Sequence, residues 1–173
     1  MKRHLIFVGL PGSGKSTVGR EVATHIGATF VDLDKVVERK AGMPVDRVFG
    51  EVGEAAFRKM ESEAMGTLLE GEPCVLAPGG GWAAQPGEME RAKAHGFVIY
   101  LKSTITAAVE RSSDLPEGRP ILMSDDPFEK MRELLEARQP FYAMAHAQID
   151  NINRPVAEVI TEAVTLARQS AGW

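Results

Sequence analysis

The sequence predicts an α/β fold built on a buried parallel sheet. Short apolar, β-branched runs alternate with longer amphipathic segments along the 173 residues, and this alternation is typical of repeated βα units. Hydrophobic residues make up 44% of the chain and charged residues 25%, which is ordinary composition for a globular protein. A chain of this length fits one domain of usual size. Residues 1–173 are therefore expected to form a single domain.

Five short apolar runs are predicted as strands, at 4–8, 29–33, 73–77, 96–101 and 147–150. Each of the first four is followed by turn residues and then by a longer segment with helical spacing. Helices are predicted at 15–26, 53–70, 86–95, 104–112, 127–145 and 155–169, the last entered through Pro155 at its first turn.

Two stretches lack a regular pattern. Residues 34–52 are interpreted as short helices broken at Gly42-Met43-Pro44, and residues 113–126 as a long loop rich in Pro, Gly, Asp and Ser. Such a loop is either an active-site lid or a passive surface connection.

Charge and composition exclude several classes of protein. A net charge of −4 argues against a nucleic-acid-binding surface but permits a local basic pocket. No apolar run approaches the ~18 residues of a membrane span and no leader precedes the first strand, so we expect a cytoplasmic protein. The four histidines and the single Cys74 show no zinc-ligand spacing. Without a heptad pattern, a monomer is expected.

Residues 9–16, GLPGSGKS, have the spacing G-x-x-x-x-G-K-[ST] between a predicted strand and a predicted helix. In this context the motif predicts a loop whose backbone N–H groups bind nucleotide phosphates, with Lys15 on the β- and γ-phosphates and the Ser16 hydroxyl on Mg²⁺. The nucleotide-binding residues expected in the loop are Gly12, Ser13, Gly14, Lys15, Ser16 and Thr17. Many NTPases and kinases share this loop, so it leaves the phosphate acceptor open.

Asp32 and Asp34 end the second predicted strand, where a parallel sheet presents groups to ligands. One is a candidate for the metal shell and the other for an acceptor hydroxyl. Alternatively, Asp34 only caps a helix that begins at Lys35. Arg58 and Glu61 are one helical turn apart. They form either a surface ion pair or a unit in which Glu61 orients Arg58 towards a substrate carboxylate.

A triple glycine, Gly79 to Gly81, follows the third predicted strand. It indicates either close backbone approach to a ligand or only a tight turn. Arg119 lies in the candidate lid, where closure would bring its charge onto the transferring phosphoryl group. Arg138 is near a helix end, where it either binds an anionic acceptor or only meets the helix dipole.

As a set, these motifs resemble the shikimate kinase family. The shared elements are GLPGSGKSTVGR at 9–20, DLD at 32–34, VFGEVGEAAFRKME at 48–61, GGG at 79–81, GRPIL at 118–122 and ARQPFY at 137–142. The resemblance implies a three-layer P-loop kinase fold with a central five-stranded parallel sheet, like that of nucleoside monophosphate kinases. It also implies a substrate-binding segment around 33–61 and a mobile lid around 112–125.

The implied activity is transfer of the ATP γ-phosphate to the 3-hydroxyl of shikimate, with one Mg²⁺ per active site, in the route to chorismate and aromatic amino acids. By the same resemblance, Arg58 and Arg138 hold the acceptor carboxylate, with Glu61 beside them in the substrate-binding set to orient Arg58. The backbone of Gly79, Gly80 and Gly81 closes the pocket, and Asp34 bonds the ring hydroxyls and orients the attacking oxygen. Lys15, Arg119 and Mg²⁺ carry the developing charge, Ser16 and Asp32 hold the metal, and Arg111, Arg154 and Pro155 flank the adenine.

One departure from the family pattern lies around the triple glycine, where Pro78 precedes it and Trp82 follows. Trp82 either covers the outer wall of the pocket or reshapes the acceptor site. Two alternatives therefore stay open. One is a related kinase for another polyol acid, such as gluconate, and the other is a nucleotide-binding regulator without metabolite kinase activity.

Overall fold

The computed structural model describes residues 1–114 and 119–173, except for the side chains of 114, 119 and 120. Five strands form one sheet, with every neighbouring pair parallel. They are β1 His4–Val8, β2 Phe30–Asp32, β3 Val75–Ala77, β4 Gly96–Lys102 and β5 Ala147–Asp150. The strand order is β2-β3-β1-β4-β5, so β1 is central. The five-stranded parallel sheet is confirmed, and each strand lies within two residues of its predicted bounds.

The α-helices of the described residues are α1 Lys15–Ile26, α2 Leu33–Ala41, α3 Val45–Leu69, α4 Glu88–His95, α5 Ile105–Arg111, α6 Arg119–Leu122, α7 Pro127–Tyr142 and α8 Val156–Ser170. Short 3-10 helices cover Trp82–Ala84 and Ser112–Asp114. Within this part of the chain, no helix has both the length and the apolar character that a membrane span requires.

Alternate residues of β1 belong to two separate cores, because successive strand side chains point to opposite faces of a sheet. Leu5 and Phe7 pack in a buried cluster with residues of α1 and α8. Ile6 and Val8 pack in a second cluster with residues of α3, α4, α5 and α7. The sheet is therefore sandwiched between two helical layers, which confirms the three-layer P-loop kinase fold.

The segment 34–52 forms two helical stretches, separated by the predicted break at 42–44. Helix α2 ends before Gly42, which has a left-handed φ of 70°. The span α3 begins at Val45 and is kinked at Gly53, where φ 81° and ψ 168° are not helical. This kink lies where the sequence predicts a helix start. Val45 and Val48 before the kink and Phe57 after it lie in one small core with Val37 of α2.

Two further predictions need correction. The loop predicted at 113–126 contains the end of a 3-10 helix and the short helix α6, while residues 115–118 of the predicted lid lie outside the described residues. The helix predicted at 127–145 ends at Tyr142. Tyr142 is fully buried and stacks on Tyr100 of β4, with 5.0 Å between the ring centroids. The chain must leave the helix there to start β5 five residues later.

Candidate active site

The phosphate loop connects β1 to α1 at the carboxyl edge of the sheet. Neighbouring strand β3 connects onward to β4 on the other side of β1, which makes this edge the switch point where α/β proteins bind ligands. Gly12 and Gly14 have φ angles of 75° and 97°, a region that strains any residue with a Cβ. A cavity of about 470 Å³ opens here, lined by this loop and by residues that follow β2 and β3.

Lys15 begins α1 and turns its side chain back over the loop. Its Nζ donates to the carbonyl oxygens of Gly9 at 3.0 Å and Leu10 at 2.9 Å, and the residue is 6% exposed. Lys15 also lines the cavity. The loop therefore holds a buried cation against the space where the motif predicts phosphates.

Ser16 and Asp32 meet across the cavity floor, where the Ser16 hydroxyl donates to Asp32 Oδ2 at 3.1 Å. Asp32 is also the N-cap of α2, because its Oδ1 accepts the Asp34 N–H at 3.0 Å. Helix α2 begins at Leu33, so the alternative in which Asp34 caps a helix starting at Lys35 is wrong. Asp34 lies instead in the first turn of α2.

The Ser16 and Asp32 oxygens fit a hard cation such as Mg²⁺. Among the described residues, no group of three or more His, Cys, Asp or Glu side chains is placed to hold a metal ion. Mg²⁺ commonly binds through one or two protein oxygens together with waters and substrate phosphates. A single hydroxyl and a single carboxylate beside the phosphate loop match that requirement.

A second cavity of about 540 Å³ lies next to the first, between α2, α3 and α7. Its wall includes Arg58, Glu61, Gly81 and Arg138, which the sequence predicts as acceptor-binding residues. Asp34 lines both cavities. Asp34 therefore lies at the boundary between the two cavities.

Arg58 and Glu61 form a buried ion pair, with Arg58 Nη1 donating to Glu61 Oε2 at 2.6 Å. The side chains are 17% and 1% exposed, so the interpretation of the pair as a surface salt bridge is wrong. The guanidinium group also lies 5.7 Å and 5.4 Å from the ring centroids of Phe49 and Phe57. These contacts orient Arg58 along one wall of the second cavity.

The triple glycine allows close approach of two arginines. A Cβ on Gly81 would collide with an Nη atom of Arg58 and come within 2.9 Å of Arg138 Nη2. A Cβ on Gly80 would lie 2.8 Å from Pro11 and 3.1 Å from Arg138 Nη1. Both lie in a turn in which the Trp82 N–H donates to the Gly79 carbonyl at 3.1 Å. Neither has a positive φ, so the turn does not itself require glycine, whereas the space for the two arginines does.

Arg138 directs its guanidinium group into the second cavity rather than towards the end of α7. Its Nη1 is buried and has no hydrogen-bond partner in the part of the chain that the structure describes. Nearby, the buried Tyr142 hydroxyl donates to the Gly80 carbonyl at 2.7 Å. A helix that supplies one cavity-lining cation therefore also holds the glycine turn.

The residues predicted around the adenine are not all brought together. Arg111 lines the first cavity. Of the described residues, Arg154 and Pro155 do not line it. The Arg154 Nη1 donates to Glu162 Oε2 at 2.8 Å, and this bond raises the pKa of Arg154. The Arg119 side chain is outside the described residues.

Two further cations line the first cavity, Arg20 and Lys35. A hydrogen bond to Glu38 raises the pKa of Lys35, which keeps it charged at neutral pH. The sequence contains a signal for Arg20, because it follows Ser16 by four residues on α1 and so shares its face. Lys35 adjoins Asp34 and carries no comparable signal.

Trp82 is fully buried in the core cluster that contains Met65 and Met89. Among the described residues, those lining the two cavities do not include it, whereas Pro78 lines the first. Trp82 therefore packs in the core and is not part of the lining of either cavity, while Pro78 remains in the lining of the first.

A phosphate-binding loop and an adjacent cation-lined cavity on this sheet define a small-molecule kinase of the P-loop class. The sequence profile of shikimate kinase matches residues 11–168, and the chain belongs to the shikimate kinase family. It is 38% identical over 156 residues to a shikimate kinase of Thermus thermophilus, covering 90% of this chain and 85% of that protein. It is 36% identical over 162 residues to one of Caldanaerobacter subterraneus, covering 94% of each.

Among solved structures, a shikimate kinase from Acinetobacter baumannii in complex with shikimate superposes with a TM-score of 0.89 at 31% identity, covering 98% of this chain and 96% of that one. A gluconokinase from Sinorhizobium meliloti has a TM-score of 0.65 at 20% identity, covering 99% of this chain and 94% of that one. The second likeness is one of fold alone.

Proposed function

We propose that this protein transfers the γ-phosphoryl group of ATP to the 3-hydroxyl of shikimate, giving 3-phosphoshikimate and ADP. Family membership supports the reaction, and the solved relative in complex with shikimate supports the acceptor. The observation that carries the site assignment is the position of Asp34, which lines both the cavity of the phosphate loop and the cavity of the arginines.

In the nucleotide half of the site, the loop from Gly12 to Thr17 binds the phosphates through its N–H groups, and Lys15 neutralises their charge. Ser16 and Asp32 would hold one Mg²⁺, Asp32 through water. When bound, this ion would offset the charge that develops on the phosphates during transfer. Arg111 lies within the same cavity, consistent with stacking on the adenine.

In the acceptor half, Arg58 and Arg138 bind the shikimate carboxylate. Both line the second cavity, and Gly81 leaves space for both guanidinium groups. Arginine suits this task because its planar donors match the two oxygens of a carboxylate. Glu61 orients Arg58 through their 2.6 Å hydrogen bond, and the backbone of Gly79 to Gly81 closes the pocket. The sequence assigns Arg119 to a contact with the phosphoryl group during its transfer.

Between the two halves, the Asp34 carboxylate accepts a hydrogen bond from the shikimate hydroxyl. This hydrogen bond directs the hydroxyl oxygen at the γ-phosphorus of ATP. A new bond forms between the hydroxyl oxygen and the γ-phosphorus, while the bond between the γ-phosphorus and the oxygen of the leaving ADP breaks. The hydroxyl proton leaves through Asp34 or to solvent. In a loose phosphoryl-transfer transition state, positioning and charge neutralisation dominate. Asp34 therefore acts first as an orienting residue and second as a base.

Steady-state ADP release with purified protein, ATP and Mg²⁺ tests the proposal against a panel of acceptors. Shikimate should support turnover, whereas gluconate and nucleoside monophosphates should not. Asp34→Asn, which keeps the shape of the side chain, should lower kcat by about 100-fold or more with ATP affinity retained. Turnover of another acceptor without shikimate-dependent ADP release would refute the assignment.

A nucleotide-binding regulator is separated from a kinase by calorimetric titration. A kinase should bind shikimate even when no phosphoryl transfer takes place, because the shikimate carboxylate has cationic partners in the second cavity. A regulator would bind ATP tightly and show no heat with shikimate. The buried Arg58–Glu61 pair disfavours the regulator, since such a switch has no use for a carboxylate site.

A further inference from the structure

The segment after β5 contacts the phosphate loop from behind. The Asn151 side chain donates from Nδ2 to the Ser13 carbonyl oxygen at 2.9 Å, across 138 residues of chain. Asn151 is 7% exposed. Its own backbone N–H donates to the Lys102 carbonyl at 2.8 Å, which fixes the residue to the end of β4. The amide is therefore a buried and firmly held donor.

The Ser13 carbonyl belongs to the same planar peptide as the Gly14 N–H. No cis peptide bond occurs among the described residues, and in a trans peptide the C=O and the N–H point in opposite directions. Gly14 lines the nucleotide cavity, whereas Asn151 is not among the described residues that line it. A carbonyl held at the back of the loop therefore turns the Gly14 N–H towards the cavity.

Gly14 leaves little room for any other arrangement. Its φ is 97°, and a Cβ at this position would lie 3.0 Å from Asn151 Nδ2. The amide thus packs directly against bare glycine backbone. Because glycine is the most flexible residue, a loop with Gly12 and Gly14 at its turn needs an external contact to hold one peptide orientation. Asn151 supplies that contact.

We propose that Asn151 is a positioning residue for phosphate binding, which holds the Ser13–Gly14 peptide with its N–H aimed at the nucleotide. The inference rests on the nucleotide site of the proposed function and extends it to a residue behind the loop. It assigns Asn151 no contact with either substrate. Loss of the amide should therefore weaken nucleotide binding and leave the shikimate cavity unaffected.

Asn151→Asp is the main variant, because it keeps the shape of the side chain and replaces the donor with a carboxylate oxygen facing the Ser13 carbonyl. In calorimetric titrations, the Kd for ADP with Mg²⁺ should rise about tenfold or more, and the KM for ATP should rise with it. The Kd and KM for shikimate should stay within about twofold. Asn151→Leu removes the same donor without adding charge and should weaken ADP binding in the same direction.

Gln169→Glu is the matched control, since it makes the same amide-to-carboxylate change at an exposed position of α8. It should bind ADP like the parent chain, and its thermal midpoint controls for folding. Unchanged ADP affinity in Asn151→Asp, a parallel loss of ADP and shikimate binding in Asn151→Leu, or an equal ADP defect in Gln169→Glu would each overturn the inference. A parent chain that binds shikimate but no ADP would refute the nucleotide site itself.

Discussion

The guanidinium group of Arg58 is held by contacts within α3. Glu61 accepts a hydrogen bond from Nη1 at 2.6 Å, and the rings of Phe49 and Phe57 lie beside it. Arg58 Nε is buried and has no hydrogen-bond partner among the described residues. The exposed Glu54 carboxylate lies 3.8 Å from Arg58 Nη2, beyond hydrogen-bond distance. Because Glu61 uses only part of a five-donor group, this geometry leaves donors for a substrate carboxylate from the cavity side.

We predict that Arg58→Ala lowers kcat/KM for shikimate about thirtyfold or more, which corresponds to about 2 kcal/mol of transition-state stabilisation. The physical reason is the loss of a charge-assisted, bidentate contact with the acceptor. Affinity for ATP should change little, because Arg58 does not line the nucleotide cavity. Steady-state kinetics with each substrate varied in turn provide the measurement.

Arg47→Ala is a matched control for this substitution. Arg47 lies on the same helix and pairs with Glu51 at 2.7 Å, but its side chain is 67% exposed. Such surface pairs contribute little, so its kinetics should match the parent chain. Lys15→Ala should show the opposite preference from Arg58→Ala, with phosphate binding weakened first. Equal loss of ATP and shikimate binding in Arg58→Ala would contradict its assigned role.

At the scale of elements, local signals were sufficient for β1, the phosphate loop and α1. Their apolar run, glycine spacing and lysine are contiguous in residues 4–17, so short-range chemistry specifies them. The kink of α3 at Gly53 matches a predicted helix start, but the packing of both sides of the kink against Val37 of another helix was not predictable. The contact between Asn151 and Ser13 was not predictable either, since no local pattern marks a pair so far apart in sequence.

The amino edge of the sheet contains a buried histidine that joins two strands. His4 of β1 is 3% exposed, and its Nδ1 accepts the Cys74 N–H beside β3 at 3.3 Å. Burial lowers the pKa of His4 from its ordinary value of 6.5, while hydrogen bonds with the backbone of Leu69 and Gly71 act in the opposite direction. The native state therefore favours the neutral ring.

Stability should consequently fall on acidification. The lowered pKa means that the unfolded state takes up the proton first, so the stabilising contribution is present above pH 6.5 and is lost as the pH falls through the lower, native pKa. In His4→Asn, the amide oxygen can accept the same N–H without titrating. Urea unfolding between pH 7 and pH 5 should show a shallower loss of stability in this variant. Identical pH slopes in both proteins would contradict this prediction.

At the scale of the whole molecule, the candidate active site and the buried residues that join the strands lie at opposite edges of the sheet. The carboxyl edge carries the phosphate loop, Asp34 and the glycine turn, whereas the amino edge is closed by buried residues. The sequence indicated several of the residues that line the two cavities, because charged and glycine residues at strand ends are conspicuous. It did not indicate that Asp32 caps α2 while Asp34 lines both cavities, since that depends on where the chain turns into the helix.

The single thiol of the chain reports on whether the sheet opens as a unit. Cys74 is 6% exposed, its carbonyl accepts the Leu5 N–H at 3.0 Å, and burial raises the pKa of its thiol to about 11. At pH 8 the native thiol is thus both protonated and covered. We predict slow reaction with a chromogenic aromatic disulfide, and rapid stoichiometric reaction in denaturant.

Ligands that bind the carboxyl edge should slow this reaction although they do not touch Cys74. If exposure of the thiol requires global unfolding, then ADP with Mg²⁺ at about 100 times its Kd should lower the rate about a hundredfold, because only the folded state binds the nucleotide. Local fraying around Cys74 would leave the rate independent of ligand. The measurement compares the rates with and without nucleotide, in the parent chain and in Asn151→Asp at the same nucleotide concentration. Because the variant should bind the nucleotide more weakly, its thiol should be protected less, in proportion to the loss of affinity.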